Sequence, residues 1–141
     1  MAEVQKKITD TSPSSASTAA GDVLYDVGGY DSYVVTGYLV GATGGTLDVY
    51  LQDYDEANSK WVDWIHFTQL ASGASAVVEA YSPALSNTKT TVGTDTSPAL
   101  SSGTCRGGPP RNKVRALYVA GASTSAGAAI VITLTCTNSR Q

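Results

Sequence analysis

The stretch GGTLDVYLQDYDEANSKWVDWIHF, residues 44–67, holds both tryptophans, the single histidine, the single phenylalanine and five of the twelve acidic residues of a 141-residue chain. Its first half decides the fold class. In TLDVYLQ, Leu47, Val49 and Leu51 fall on one face and Asp48, Tyr50 and Gln52 on the other, the period of two of a strand buried on one side. DYDEANS (53–59) then offers a turn of about four or five residues, and a second apolar run follows. That run, WVDWIHF (61–67), keeps no phase: Trp61, Ile65 and Phe67 fall with Asp63, while Val62 and Trp64 fall with His66. Apolar bulk on both faces predicts core on one side and a loop, an arm or another subunit on the other.

Outward from this hairpin the same spacing recurs. Apolar segments separated by turn residues run over 22–27 (DVLYDV), 32–41 (SYVVTGYLVG), 46–54, 60–70, 75–82 (SAVVEAYS), 88–93 (TKTTVG), 113–121 (KVRALYVAG) and 128–137 (AAIVITLTCT). About eight strands predict an all-β fold, an antiparallel β-sandwich of jelly-roll-like order. Residues 1–20 show no period and end in the polar run TSPSSASTAA. They read as a flexible or extended N-terminal arm in front of a β-sandwich domain over 21–141. The longest irregular stretch, 82–112, contains Pro83, Pro98, Pro109 and Pro110 and repeats SPALS at 82–86 and 97–101. In a window so rich in Ser, Ala and Pro, composition accounts for that echo.

Charge is uneven. Eight acids and one base, Lys60, lie between Asp22 and Asp63, whereas Arg106, Arg111, Lys113 and Arg115 follow one another without an acid. Opposite patches of this kind steer one subunit onto a neighbour or onto a complementary surface; the alternative is a solvated surface of uneven charge. With Lys6 and Lys7 of the arm, the four loop bases form the candidate partner-binding set. A net charge of −3 argues against nucleic acid as a partner, and no run reaches the roughly 18 apolar residues of a membrane span. The first residues lack the apolar core of a secretory signal, so a product made and kept in the cytosol, or released from it by lysis, is expected.

The chemistry-bearing residues are few. His66 is the only imidazole, with Asp63 nearby, and no nucleophile elbow, phosphate-binding loop or paired-cysteine spacing accompanies it. A packed strand histidine is the expected reading, and the chain is not expected to be an enzyme. Asp53, Asp55 and Asn58 resemble the start of a calcium loop but lack its glycine and distal glutamate; neither metal nor cofactor is expected. Tyr50, Tyr54, Trp61 and Trp64 form a possible ligand platform for sugar rings, against the alternative that they pair across the hairpin to close the core. Cys136 shares the apolar phase of Ile130, Ile132 and Leu134, which predicts a buried thiol, while Cys105 lies in a Gly/Pro loop; a disulfide between them stays open.

Over about residues 34–78, the order of Gly-rich turn, TLDVYLQ strand, acidic turn, Trp-rich return strand and Ala/Gly turn resembles a group of small tailed-bacteriophage virion proteins. The resemblance implies a capsid-associated β-sandwich of decoration or cement type. The expected function is then binding and stabilising the outer capsid surface, with the major capsid protein and further copies of the chain, as a homotrimer, for partners, and the virion exterior as location. The alternative is a carbohydrate-binding or host-attachment module on the virion.

Overall fold

A computed structural model describes residues 2–11, 17–40, 45–70, 77–84, 89–121 and 129–138. Nine strands lie among them: β1 (Ala2–Thr11), β2 (Thr18–Leu24), β3 (Ser32–Val40), β4 (Leu47–Asp55), β5 (Lys60–His66), β6 (Val77–Tyr81), β7 (Thr104–Cys105), β8 (Val114–Ala120) and β9 (Ala129–Asn138). They form two antiparallel sheets, ordered β1-β9-β3-β6 and β2-β8-β4-β5-β7. The chain changes sheet after β1, β2, β3, β5, β6 and β8 and turns back within one sheet only at the β4–β5 hairpin and through the short edge strand β7. This is the order of a jelly roll, eight long strands in two Greek keys, with the two-residue β7 added at one edge.

The core lies between the sheets. Tyr33, Val35 and Leu39 of β3 and Ile130, Ile132, Leu134 and Cys136 of β9 face Leu47, Val49, Leu51, Trp64, Ile65 and Phe67 of the second sheet, all buried. Gly37 leaves room in the β3 row for the Phe67 ring, which a methyl group there would strike. Tyr33 sits edge-on to Trp64 and donates its hydroxyl to the Val27 carbonyl at 2.7 Å.

The broken phase of WVDWIHF has a local cause. β5 pairs with β4 as Tyr50↔His66 and Leu51↔Ile65, then as Gln52↔Asp63, so the register skips Trp64. One extra residue in one strand is a β-bulge. It lets Trp64 and Ile65 both enter the core and leaves Trp61, Asp63 and His66 on the outer face with Tyr50, Gln52 and Tyr54.

Three segments differ from the sequence reading. Residues 2–11, read as part of an arm, are β1, paired with β9 from Ala2↔Asn138 to Thr11↔Ala129. Val4, Lys6, Ile8 and Asp10 lie on the inner face, opposite Cys136, Leu134, Ile132 and Ile130, and Ile8 is fully buried. The alternation was hidden because two of the four inward positions are charged, which an edge strand tolerates and which discourages further strand pairing. The strand expected at 22–27 is β2, centred earlier. The segment expected at 88–93 is loop over its described residues, 89–93. The polar run 12–16 and the second half of the first SPALS lie outside the described residues.

Candidate functional site

The sequence-selected residues gather where residues 89–112 pack on the second sheet. Residues 93–100 cross the outer face of β4 and β5, β7 lines the free edge of β5, and Arg106 and Arg111 reach Asp53, which shares the inward phase of Leu51. Asp63 anchors this crossing. Its Oδ2 accepts backbone N–H groups from Gly93, Ala99 and Leu100 at 2.8, 2.8 and 2.9 Å, and its Oδ1 accepts the Gln52 amide at 3.0 Å. Gln52 also donates to the Asp95 carbonyl at 2.9 Å and accepts from Arg115 Nε at 3.1 Å. Asp63 and Gln52 are fully buried, and a buried polar group keeps its place only when it is bonded in this way. Gly93 is obligatory here, since a Cβ would collide with the backbone of Ser97 to Ala99.

His66 lies beside this anchor, 4% exposed, with its ring stacked on Tyr50 at 3.8 Å between centroids. Nδ1 faces the Leu100 carbonyl at 2.7 Å and Nε2 faces Asp48 Oδ1 at 2.8 Å. Both partners are acceptors, so a neutral ring serves only one of them. Burial acts to raise the Asp48 pKa, but hydrogen bonds from His66 and Gln69 and the charge of His66 outweigh it and hold the carboxyl below its ordinary value. Tyr50, Leu100 and Leu117 form a small second core under the loop. Burial, then the charges of Asp48 and Asp63, push the Tyr50 phenol up to about 12.

Asp53 anchors the other end of the loop. The carboxylate is fully buried and takes a two-pronged contact from Arg106, both bonds 2.9 Å, with the Arg111 side chain at 3.0 Å and the Arg111 backbone N–H at 2.8 Å. A planar guanidinium fork suits such a site. Lys113 lies 3.4 Å from Glu56 and 4.7 Å above the Tyr54 ring, and Arg115 lies 4.7 Å above Trp61. The two charge patches of the sequence therefore meet within one molecule. Of the arm lysines, Lys7 is exposed on the outer face of the first sheet, and Lys6 is half-buried on its inner side.

The four aromatics do not form one platform. Trp64 is in the core, where its indole donates to the Gly108 carbonyl at 3.2 Å, and Tyr50 lies beneath Leu100. Tyr54 and Trp61 remain half-buried side by side at 4.9 Å. Asp53, Asp55 and Asn58 do not converge on a common point: Asp53 is held by the arginines, and Asp55 accepts from the Ala57 and Asn58 backbone and the Asn58 amide. Cys105 and Cys136 are free thiols. Among the described residues no helix is long and apolar enough to cross a membrane.

Two further surfaces escaped the sequence reading. A cleft of about 460 Å³ opens between the start of β3 and the end of β6, walled by Tyr33, Pro83, Ala84 and Pro109 with Asp31 in its lining. The outer face of the first sheet carries Val34, Thr36 and Tyr38 of β3, Thr133 and Thr135 of β9 and Val78 of β6. On it Val34, Tyr38 and Val78 are 43, 49 and 60% exposed. Alternation in VITLTCT does mark this face in the sequence; that it stays uncovered while the opposite outer face is capped depends on the path of the loop.

No protein-family model matches the chain, and no curated protein matches it. Among solved structures, one from Bacillus endospore appendages, described as a novel family of disulfide-linked pili, is similar to it at 14% identity and a TM-score of 0.46, over 97% of this chain and 89% of the other.

Proposed function

We propose that the chain is a non-enzymatic structural protein that adheres to a repeating particle surface, and in its finer form a decoration protein on the outer capsid of a tailed bacteriophage. One observation carries the reading. The groups best suited to chemistry, Asp48, Asp53, Asp63 and His66, are spent on holding residues 89–112 against the second sheet. What such a network supplies is stiffness, and a stiff module loses little entropy when it docks. Repetition over a lattice then multiplies modest contacts into firm attachment. In this reading the half-exposed Arg111, whose guanidinium also reaches Asp55, is the basic residue that touches the shell.

Co-sedimentation of the purified chain with tailed-phage heads lacking it tests this reading. Saturable binding at a fixed number of copies per head is the expected result. Absence of binding to heads, together with saturable quenching of Trp61 fluorescence by a cell-surface polysaccharide, would replace it with the attachment-module alternative.

A further inference from the structure

We propose that the outer face of the β1-β9-β3-β6 sheet pairs with the same face of a second copy of this chain. Among the described residues, three of the four exposed large hydrophobic side chains, Val34, Tyr38 and Val78, lie on this one face. They are in register: Tyr38 stands opposite Val78 on one side and Val131 on the other, and Thr36 stands between Ala80 and Thr133. The molecule's other outer sheet face is crossed by its own loop, so the two faces of the sandwich are not equivalent.

Charge and area both point to a second copy. The only charged side chains facing outward from this sheet among the described residues, Glu3 and Lys7, lie on the edge strand β1. The central strands β3 and β9 present Thr, Ser, Val and Tyr. An uncharged centre with charges at the rim is the anatomy of a protein interface, and with no net charge at its centre the face does not repel its own copy. A two-fold axis parallel to the strands sets β3 of one copy against β9 of the other, so the Tyr38 row meets the Val131 row and the threonine hydroxyls, each donor and acceptor, meet one another. Four strands about 4.8 Å apart and nine residues of about 3.3 Å each give a footprint of roughly 19 by 30 Å. Two such faces bury about 1,100 Å², just above the roughly 1,000 Å² a specific interface needs. The pairing is therefore concentration-dependent rather than permanent.

The inference rests on the proposed function only in treating self-association as useful to a lattice protein. Its test reads self-association alone, so its failure leaves head binding untouched. Sedimentation velocity of the full chain from micromolar to millimolar concentration should show the mass rising from 14.5 kDa toward twice that value. Tyr38→Lys and Thr133→Lys, each checked for an unchanged circular dichroism spectrum, should weaken the pairing at least tenfold. Tyr25→Lys, at a 59% exposed site beyond the end of β2, should leave it intact. A monomer at every concentration overturns the proposal. So does a dimer that survives both face substitutions, or one that Tyr25→Lys dissolves.

Discussion

Asp63 shows how much one side chain can organise. Its carboxylate is fully buried and gathers three backbone N–H groups from residues 30 to 37 positions away. Replacing Asp63 with Ala leaves the buried Leu100 donor and the part-buried Gly93 and Ala99 donors without their acceptor, and a buried unsatisfied group costs about 1–3 kcal/mol before relaxation. The expected loss is about 3 kcal/mol or more, read as a lowered urea midpoint, with early proteolysis between residues 93 and 100 as the local sign. An unchanged midpoint would mean that the loop is held by other contacts. Little of this was legible in the sequence. The acid in WVDW has no local mark that separates an anchor from a solvated turn carboxylate, because its partners arrive from a distant loop whose path follows from the fold.

At the scale of elements, the hairpin and the strands flanking it were legible because period-two alternation is a local property. The bulge at Trp64 was visible only as a broken phase, and the register identifies its cause. β1 was missed because Lys6 and Asp10 occupy inward positions, where Lys6 is half-buried and the Asp10 carboxylate accepts the Tyr118 hydroxyl. The buried residue of this strand should betray its role. Ile8→Ala is expected to cost about 2–5 kcal/mol, whereas Lys7→Ala, one residue away on the outer face, should stay within about 0.5 kcal/mol. Thermal or urea unfolding of the two variants checks this, and equal behaviour would return residues 2–11 to the status of an arm. Deleting the whole segment would strip β9 of one partner, so such a truncation reads folding before it reads adhesion.

The whole molecule behaves as a two-layer scaffold in which, among the described residues, one outer face is capped and the other is bare. Its burial is written into its phenols: burial raises Tyr33, Tyr50, Tyr81 and Tyr118 above the ordinary value near 10. A raised pKa means that the folded chain keeps protons the unfolded chain releases. The resulting stability is complete below about pH 10 and is lost as pH rises toward about 12, the value for Tyr50. The melting temperature should therefore fall steeply above pH 10, and Tyr50→Phe should make that fall shallower; an identical slope in the variant would mean that Tyr50 is solvated. By itself the sequence determined the all-β class, most of the strand positions and the buried thiol of Cys136, because alternation and turn chemistry act between near neighbours. Only the tertiary structure decided that Asp53 holds Arg106 and Arg111, that Trp64 is core while Trp61 is not, and that one sheet face stays open. Each of those outcomes depends on which distant segments the jelly-roll crossovers bring together, and no local pattern carries that distance.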